Sequence, residues 1–438
     1  MSRTLKPSVR CPHCWHRYRP EDSLWIASHP DLLEDRLLGP GEARRFLPSR
    51  FTPAGEAIDP GGGRTRRLAC PRCHLEVPQL ALESPMVIMS VAGSPSSGKS
   101  YFLASAMWKL REELARTFSV AFTDTDPAMN RGITENEAQL FLNEDRQAMV
   151  AIRKTETEGA LYNSVQFDPG VPTQLSRPFI FTMRPARDHV NGHGADRLTQ
   201  LLTLYDNAGE HFRPGADSAR APVTQHLAHA KVLMFVFDPT QDVRFRHRLS
   251  GVSDDPQLQP GTATARQDQL IVEMARRVRT HAGLAPNERI PKPLFVILSK
   301  SDVWGPLLTD ESGKPMDITE PPYSRERAGL GKVGIRRVDR TSDRVRELLA
   351  GVAPEVVSAA EDAFERVIYV PVSAIGTSPV LDPATGLLKV PVARIAPRWV
   401  TVPFLYTLSR WSQHLVASDK DEGDPRFRAD ADGDGQEP

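Results

Sequence analysis

The sequence predicts an α/β fold with a small cysteine-held ribbon in front of it, and three observations carry that expectation. Short apolar runs of buried-strand type recur at residues 86–92, 178–184, 199–206, 231–238, 293–299 and 367–372. Helical patterns follow or separate them at 99–117, 264–281, 338–350 and 402–416, the alternation of an α/β chain. All four cysteines lie together in the N-terminal part, in two repeats of one spacing. A soft prior of about 150 residues per domain suggests three domains for 438 residues. The pattern contracts that to two: a ribbon over 1–82 and an α/β domain over 83–416, followed by an acidic, glycine-bearing tail at 417–438 expected to be disordered.

The ribbon comes first. Cys11-Pro-His-Cys14 and Cys70-Pro-Arg-Cys73 each place two thiolates near one point, and two such knuckles complete a closed tetrahedral Zn²⁺ site. A redox pair or unmetallated thiols are the alternatives. The 55 residues between Cys14 and Cys70 far exceed the usual gap of ~15–20, so the Gly-, Pro- and Arg-rich insert reads as an elaborated loop. His13, His16 and His74 crowd the knuckles and read as solvated bystanders, because four thiolates already satisfy the metal. Arg64, Arg66, Arg67 and Arg72 read as a solvated face.

The first apolar run, 86–92, leads into Gly93-Ser-Pro-Ser-Ser-Gly98-Lys99-Ser100 and then a helical stretch. This is GxxxxGK[ST] in its strand–loop–helix setting. Glycines let backbone N–H groups turn inward on phosphates, and the helix N-terminus adds a favourable dipole. Lys99 would neutralise the β- and γ-phosphates, and the Ser100 hydroxyl would ligate Mg²⁺. The phosphate-binding set is Gly93, Ser96, Ser97, Gly98, Lys99, Ser100 and Tyr101. Pro95 is unusual there, since it offers no N–H.

Three later stations point to the base. The 199–206 strand ends in Asp206-Asn-Ala-Gly209, a DxxG whose Asp would reach Mg²⁺ through water and whose Gly N–H would sense a γ-phosphate. The 293–299 strand ends in Ser299-Lys300-Ser301-Asp302, close to [NT]KxD. Asp302 could accept from N1–H and N2–H₂ of guanine, donors that adenine lacks there, while the Lys300 stem covers the base face. The 367–372 strand ends in Ser373-Ala374, where a backbone N–H would meet guanine O6.

With these motifs in order, residues 85–415 resemble the P-loop GTPases of the Ras-like, translation-factor class. The resemblance implies a six-stranded, mostly parallel sheet with helices on both faces and nucleotide at its C-terminal edge. It implies GTP or GDP and Mg²⁺ as cofactors, and a catalytic set of Lys99, Thr173, Asp206, Gly209 and Glu210. Thr173 is the switch threonine chosen for Mg²⁺ and the γ-phosphate, with Thr155 and Thr157 as alternatives. Ser299 departs from Asn or Thr, and Glu210 departs from the Gln that orients water in many such enzymes, so slow intrinsic hydrolysis is expected. The cysteine ribbon joined to such a domain also resembles the bacterial double-GTPase proteins of conflict or signalling systems, which implies protein partners such as a second GTPase or a homodimer mate.

Composition narrows the function. Lys+Arg and Asp+Glu balance at 55 each, so no chain-wide basic field exists to hold nucleic acid or a membrane surface. The opening residues lack an apolar leader, and the longest apolar runs are too short to span a bilayer, so a cytoplasmic protein is expected. Three readings remain: a slowly hydrolysing GTP switch, a hydrolytically silent GTP/GDP-binding scaffold, and a ribbon-bearing nucleic-acid ATPase. Asp302 and the charge balance disfavour the last. The EF-hand-like Asp430–Gly435 run lacks the twelfth-position Glu, and His226 and His229 read as surface or core polar residues.

Overall fold

The computed structural model describes residues 5–152, 162–168, 171–206, 224–259, 261–262, 264–324, 331–383, 385–412 and 415–420. Its centre is one mixed sheet built from β1 (Met86–Gly93), β2 (Val120–Asp124), β3 (Phe179–Pro185), β4 (Gln200–Asp206), β5 (Val232–Phe237), β6 (Ile290–Leu298) and β7 (Phe364–Pro371). The spatial order is β2-β3-β4-β1-β5-β6-β7. Strands β4, β1, β5, β6 and β7 pair in parallel, whereas β3 runs antiparallel to both β4 and β2. Every residue of β4 and β5 is buried, and both are mostly apolar instead of alternating, as strands covered on both faces are.

The sheet therefore has seven strands where the resemblance implies six. The additional one is β2, at the edge. The helix α1 (Lys99–Phe118) stops at Ser119, whose left-handed φ of 53° turns the chain straight into extended structure. In β2, Val120 and Phe122 are buried while Ala121 and Thr123 are exposed, the one-sided alternation of a strand with a single covered face.

Helices cover both faces. Besides α1 these are α2 (Arg131–Phe141), α3 (Gln267–Ala282), α4 (Ile335–Val352), α5 (Pro354–Ala363) and α6 (Val402–Trp411). On one face, Phe102, Ala106, Leu110 and Leu114 of α1 and Phe404, Leu405 and Leu408 of α6 pack on Met89, Val91, Met234 and Val236. On the other, Ile271, Met274 and Val278 of α3 and Val356 and Ala360 of α5 pack on Leu233, Phe235, Leu294 and Val296. The spacing of three and four between these positions puts each set on one helix stripe. Helix α2 caps the α1 side through Trp108 and Phe141, stacked at 5.1 Å and 4°.

The N-terminal ribbon packs on the second face, where the helices leave β4 and β3 uncovered. Ile180 and Leu201 share a cluster with Val9, Tyr18, Leu68 and the four cysteines. Trp15 reaches further in, with its ring 6.2 Å from Tyr205 and 5.9 Å from His229, and the Tyr205 hydroxyl donates to the Pro12 carbonyl. His226 is fully buried, bonded to Ser90 Oγ at 2.7 Å and stacked on Tyr205 at 4.6 Å, which makes it a core polar residue.

One expectation shifts near the chain's end. Residues 417–420, read as part of the tail, are ordered: Ala417–Ser418 pairs in parallel with Lys332–Val333. The Asp419 carboxylate accepts from the backbone N–H of Ile335 at 2.9 Å and Arg336 at 3.2 Å, capping α4. The run at 430–435 lies outside the described residues. Among the described residues, no helix is long and apolar enough to cross a membrane.

Candidate nucleotide site and cysteine centre

A cavity of about 270 Å³ opens at the carboxyl ends of β1, β6 and β7. In an open α/β sheet this is the edge where loops leave room for a ligand. The structure brings Ser96, Ser97, Gly98, Lys99, Ser100, Tyr101, Ser299, Lys300, Asp302, Ser373 and Ala374 to its walls.

The floor is residues 95–100 of the loop that begins at Gly93, with Gly93 itself behind the lining. Gly93 has φ +153°, and a methyl group there would meet the Val236 carbonyl oxygen at 2.6 Å. That oxygen belongs to paired backbone and cannot move aside. Gly98 has φ +91° and introduces α1, whose first turn faces the cavity. Ser96 also takes a left-handed φ of 62°, a strained state for a residue with a Cβ, at the tip of the loop. Lys99 is buried, and its Nζ donates to the carbonyls of Gly93 at 3.1 Å and Ser94 at 2.8 Å, crossing its own loop. Gln241 buttresses the loop from outside: Ser94 Oγ donates to its Oε1 at 2.7 Å, and its Nε2 donates to the Pro95 carbonyl at 2.9 Å. Pro95 thus contributes an acceptor where it has no N–H to give. Replacing Gly93 by alanine is expected to destabilise the fold by about 2 kcal/mol and to weaken nucleotide binding at least tenfold. Thermal melts and nucleotide titration check both, and unchanged values would show that the loop can relax.

The opposite wall follows β6 and β7. Ser299 donates its backbone N–H at 2.9 Å and its hydroxyl at 3.1 Å to the Phe237 carbonyl. The hydroxyl therefore anchors the wall instead of facing a base. Lys300 sits at φ 58°, which turns its stem along the cavity while Nζ donates to Asp238 Oδ2 at 2.6 Å and Thr240 Oγ1 at 2.8 Å. Ser373 Oγ donates to Asp302 Oδ1 and accepts from the Gly376 N–H at 2.8 Å. Burial raises the Asp302 pKa, with the charge of Asp255 adding to the rise, while the Ser373 and Arg398 side chains oppose it. Such a carboxylate gains from any neutral donor that a ligand brings.

Other predicted residues stand apart. Asp206 is buried at the end of β4, opposite Val91 of β1, two residues before Gly93, and is not among the cavity-lining residues. Thr173 pairs with Val165 in the hairpin of Tyr162–Asp168 and Val171–Ser176. That hairpin packs its Val165 and Leu175 on the cysteine cluster, and Thr173 does not line the cavity. Gly209 and Glu210, with Thr155 and Thr157, lie outside the described residues. Sequence reasoning missed Gln241, Asp255, Gln257 and Ile152. Ile152 donates its N–H to the Tyr101 hydroxyl at 2.9 Å and joins the wall.

The four cysteine sulfurs lie within 4.8 Å of one another, all buried. Cys11 to Cys73 and Cys14 to Cys70 are each 3.7 Å. A tetrahedron with Zn–S near 2.3 Å has edges of about 3.8 Å, so the donor set fits zinc. The His13 N–H donates to Cys11 Sγ at 3.3 Å and the Arg72 N–H to Cys70 Sγ at 3.4 Å, bonds that favour thiolate over thiol. His13 and His74 are bystanders to the sulfurs but are not solvated. His13 Nε2 meets the Glu76 carbonyl at 3.0 Å, and His74 Nδ1 meets Asp35 Oδ2 at 2.7 Å, both rings being buried. His74 is held because the 55-residue insert, which carries Asp35 and Arg45, folds back over it, whereas His13 is held by the segment that follows the second knuckle. The four arginines near the second knuckle are exposed, and Arg67 pairs with Glu76.

No protein-family model matches the chain. A Mycolicibacterium smegmatis protein named for ESX-1 scaffolding and assembly, SaeC, is 28% identical over 315 residues, which is 67% of this chain and 70% of that protein. Among solved structures, Sup35 complexed with GDP matches with a TM-score of 0.23 and 14% identity over 66% of this chain and 38% of its own. Era in complex with MgGDPNP and a 16S ribosomal RNA segment matches with a TM-score of 0.25 and 11% identity over 70% of this chain and 62% of its own. The chain thus spans less than two thirds of the lengths of these structures, and similarity of this degree carries no functional argument.

Proposed function

We propose that the chain is a guanine-nucleotide-binding switch that hydrolyses GTP slowly and passes its state to protein partners. One observation carries the reading: Lys99 and Ser100 at the start of α1, after β1, and the Ser373–Asp302 pair, after β6 and β7, line a single cavity. That arrangement offers a phosphate cradle at one end and a buried acceptor for N–H donors at the other. In this reading Gly93, Ser96, Ser97, Gly98, Lys99, Ser100 and Tyr101 hold the phosphates, while Lys300, Asp302, Ser373 and Ala374 hold the base. Ser100 and Asp206 would hold Mg²⁺, which when bound offsets phosphate charge. Thr173 would have to move with its hairpin to join them. Glu210 repels a γ-phosphate of like charge, which supports slow turnover. Cys11, Cys14, Cys70 and Cys73 hold one structural zinc. We divide the chain into a ribbon domain at 1–82, a nucleotide domain at 83–416 and a tail, and the reduced thiols suit the cytoplasm. A second GTPase or a homodimer mate is the partner suggested by the double-GTPase resemblance.

The second reading is a hydrolytically silent GTP- or GDP-binding scaffold. Two observations favour it: Thr173 sits on a hairpin packed against the ribbon, and the Mycolicibacterium relative is named for scaffolding and assembly. Titration with labelled GTP and ATP in Mg²⁺, followed by multiple-turnover phosphate release, separates the readings. Binding of GTP with no phosphate release selects the scaffold, and preference for ATP removes both.

Asp302→Ala tests the base wall. It removes the one carboxylate bonded to Ser373, so the preference for GDP over ADP is expected to fall by about 100-fold. Affinity for ADP should change little. An unchanged preference would mean that the base is read elsewhere.

A further inference from the structure

The loop between Val243–Leu249 and α3 sends a second carboxylate into the same cavity. Asp255 is only 2% exposed and lines the cavity together with Gln257, Asp302 and Ser373. Its Oδ1 accepts from the Gln257 N–H at 2.8 Å, capping the short Pro256–Leu258 turn. Its Oδ2 is fully buried and has no hydrogen-bond partner among the described residues. No lysine, arginine or histidine pairs with Asp255 among those residues either. A buried carboxylate oxygen without a donor is costly and rare in a folded chain. The cap on Gln257 needs only one oxygen, so a serine or asparagine would serve it as well. The second oxygen is accounted for if a ligand in the cavity supplies its donor.

We infer that Asp255 is a second base-reading carboxylate, accepting the N2–H of guanine that Asp302 leaves over. The inference rests on the guanine reading of the cavity. The edge of guanine presents three N–H bonds: one on N1 and two on N2. Asp302, held by Ser373 through Oδ1, can take N1–H and one N2–H. The remaining N2–H points away from Asp302 and is left for another acceptor. Among the described residues, Asp255 is the other carboxylate that lines the cavity. It faces Asp302 closely enough for its charge to act on that group, and a donor-rich base edge between the two relieves that repulsion. Hypoxanthine lacks the 2-amino group and leaves Asp255 Oδ2 without a donor. Xanthine places an oxygen there and is repelled.

The test is calorimetric titration of the full chain in Mg²⁺ with GDP, IDP and ADP. Wild type is expected to bind GDP about 30-fold more tightly than IDP. Asp255→Asn keeps the cap on Gln257 and turns an NH₂ toward the base. It should shrink that gap to about threefold or less, through loss of GDP affinity, while the preference for GDP over ADP persists because Asp302 is intact. Asp255→Ser, which also retains a cap, should behave alike, and thermal melts establish that both are folded. An unchanged GDP-to-IDP ratio in a folded variant overturns the role of Asp255 alone. Equal binding of GDP and IDP by wild type overturns it without any variant. Failure of wild type to bind GDP at all overturns the guanine reading together with this inference.

Discussion

Lys99→Ala is expected to reduce the affinity for GTP and GDP by at least ~100-fold, the range expected when one partner of a buried charge pair is removed. In the structure the ammonium is buried and bonded to two carbonyls of its own loop, Gly93 and Ser94. That posture fixes the positive charge at the start of α1, where the first turn lines the cavity and a phosphate would meet it. Loss of the side chain removes the cation, while the loop geometry survives through Gly93, Gly98 and the Gln241 buttress. The ligand-free melting temperature should therefore move by no more than a few degrees while the binding isotherm collapses. Affinity within threefold of wild type would place the phosphates elsewhere. Lys99→Arg is a useful companion: the charge persists, but a planar fork cannot meet the same two carbonyls from a buried stem, so intermediate weakening is expected.

The parts of this molecule that were legible in the sequence are those where one physical requirement acts on a continuous stretch. β1, β4, β5 and the second half of β6 are buried, and their mostly apolar runs say so. The 93–100 loop is legible because its glycines answer to backbone geometry: a clash with the Val236 carbonyl at Gly93 and a left-handed φ at Gly98. The edge strand β2 was missed because five residues of one-sided alternation, directly after a twenty-residue helix, carry no turn signal. α5 was missed although Pro354 opens it, since α4 runs into it with only Ala353 between them. Asp255 and Gln241 answer to tertiary placement alone. Neither sits in a spaced motif, and only the fold shows one facing Asp302 and the other gripping Pro95. The braced, buried state of His13 and His74 was hidden for the same reason: their partners, Glu76 and Asp35, come from segments that the sequence separates.

Removing the metal from the cysteine centre should have the largest effect on stability. The protein is expected to carry one zinc per chain, and Cys11→Ser or exposure to a strong chelator should lower the melting temperature by roughly 10 °C or more. Small sheets of two to four short strands surround the four sulfurs, too little apolar area to hold themselves together. Without a metal, four buried sulfurs must share protons: burial drives the Cys11 and Cys73 thiols up, while Cys70 is drawn down by hydrogen bonds from its neighbours. A metal resolves that conflict by taking all four as thiolates. The consequence should reach the sheet. Pro12 and Trp15, which follow Cys11 and Cys14 on the first knuckle, are the groups that bond and cover Tyr205, and Tyr205 immediately precedes Asp206 on β4. Loosening the knuckle uncovers that end of β4, so amide hydrogen exchange over 201–206 should accelerate on chelation while β6 and β7, far from the ribbon in the strand order, stay protected. Accelerated exchange confined to residues 5–82 would show that the ribbon opens without disturbing the strand that carries Asp206. A chain that melts at the same temperature with and without chelator would remove zinc from the account altogether.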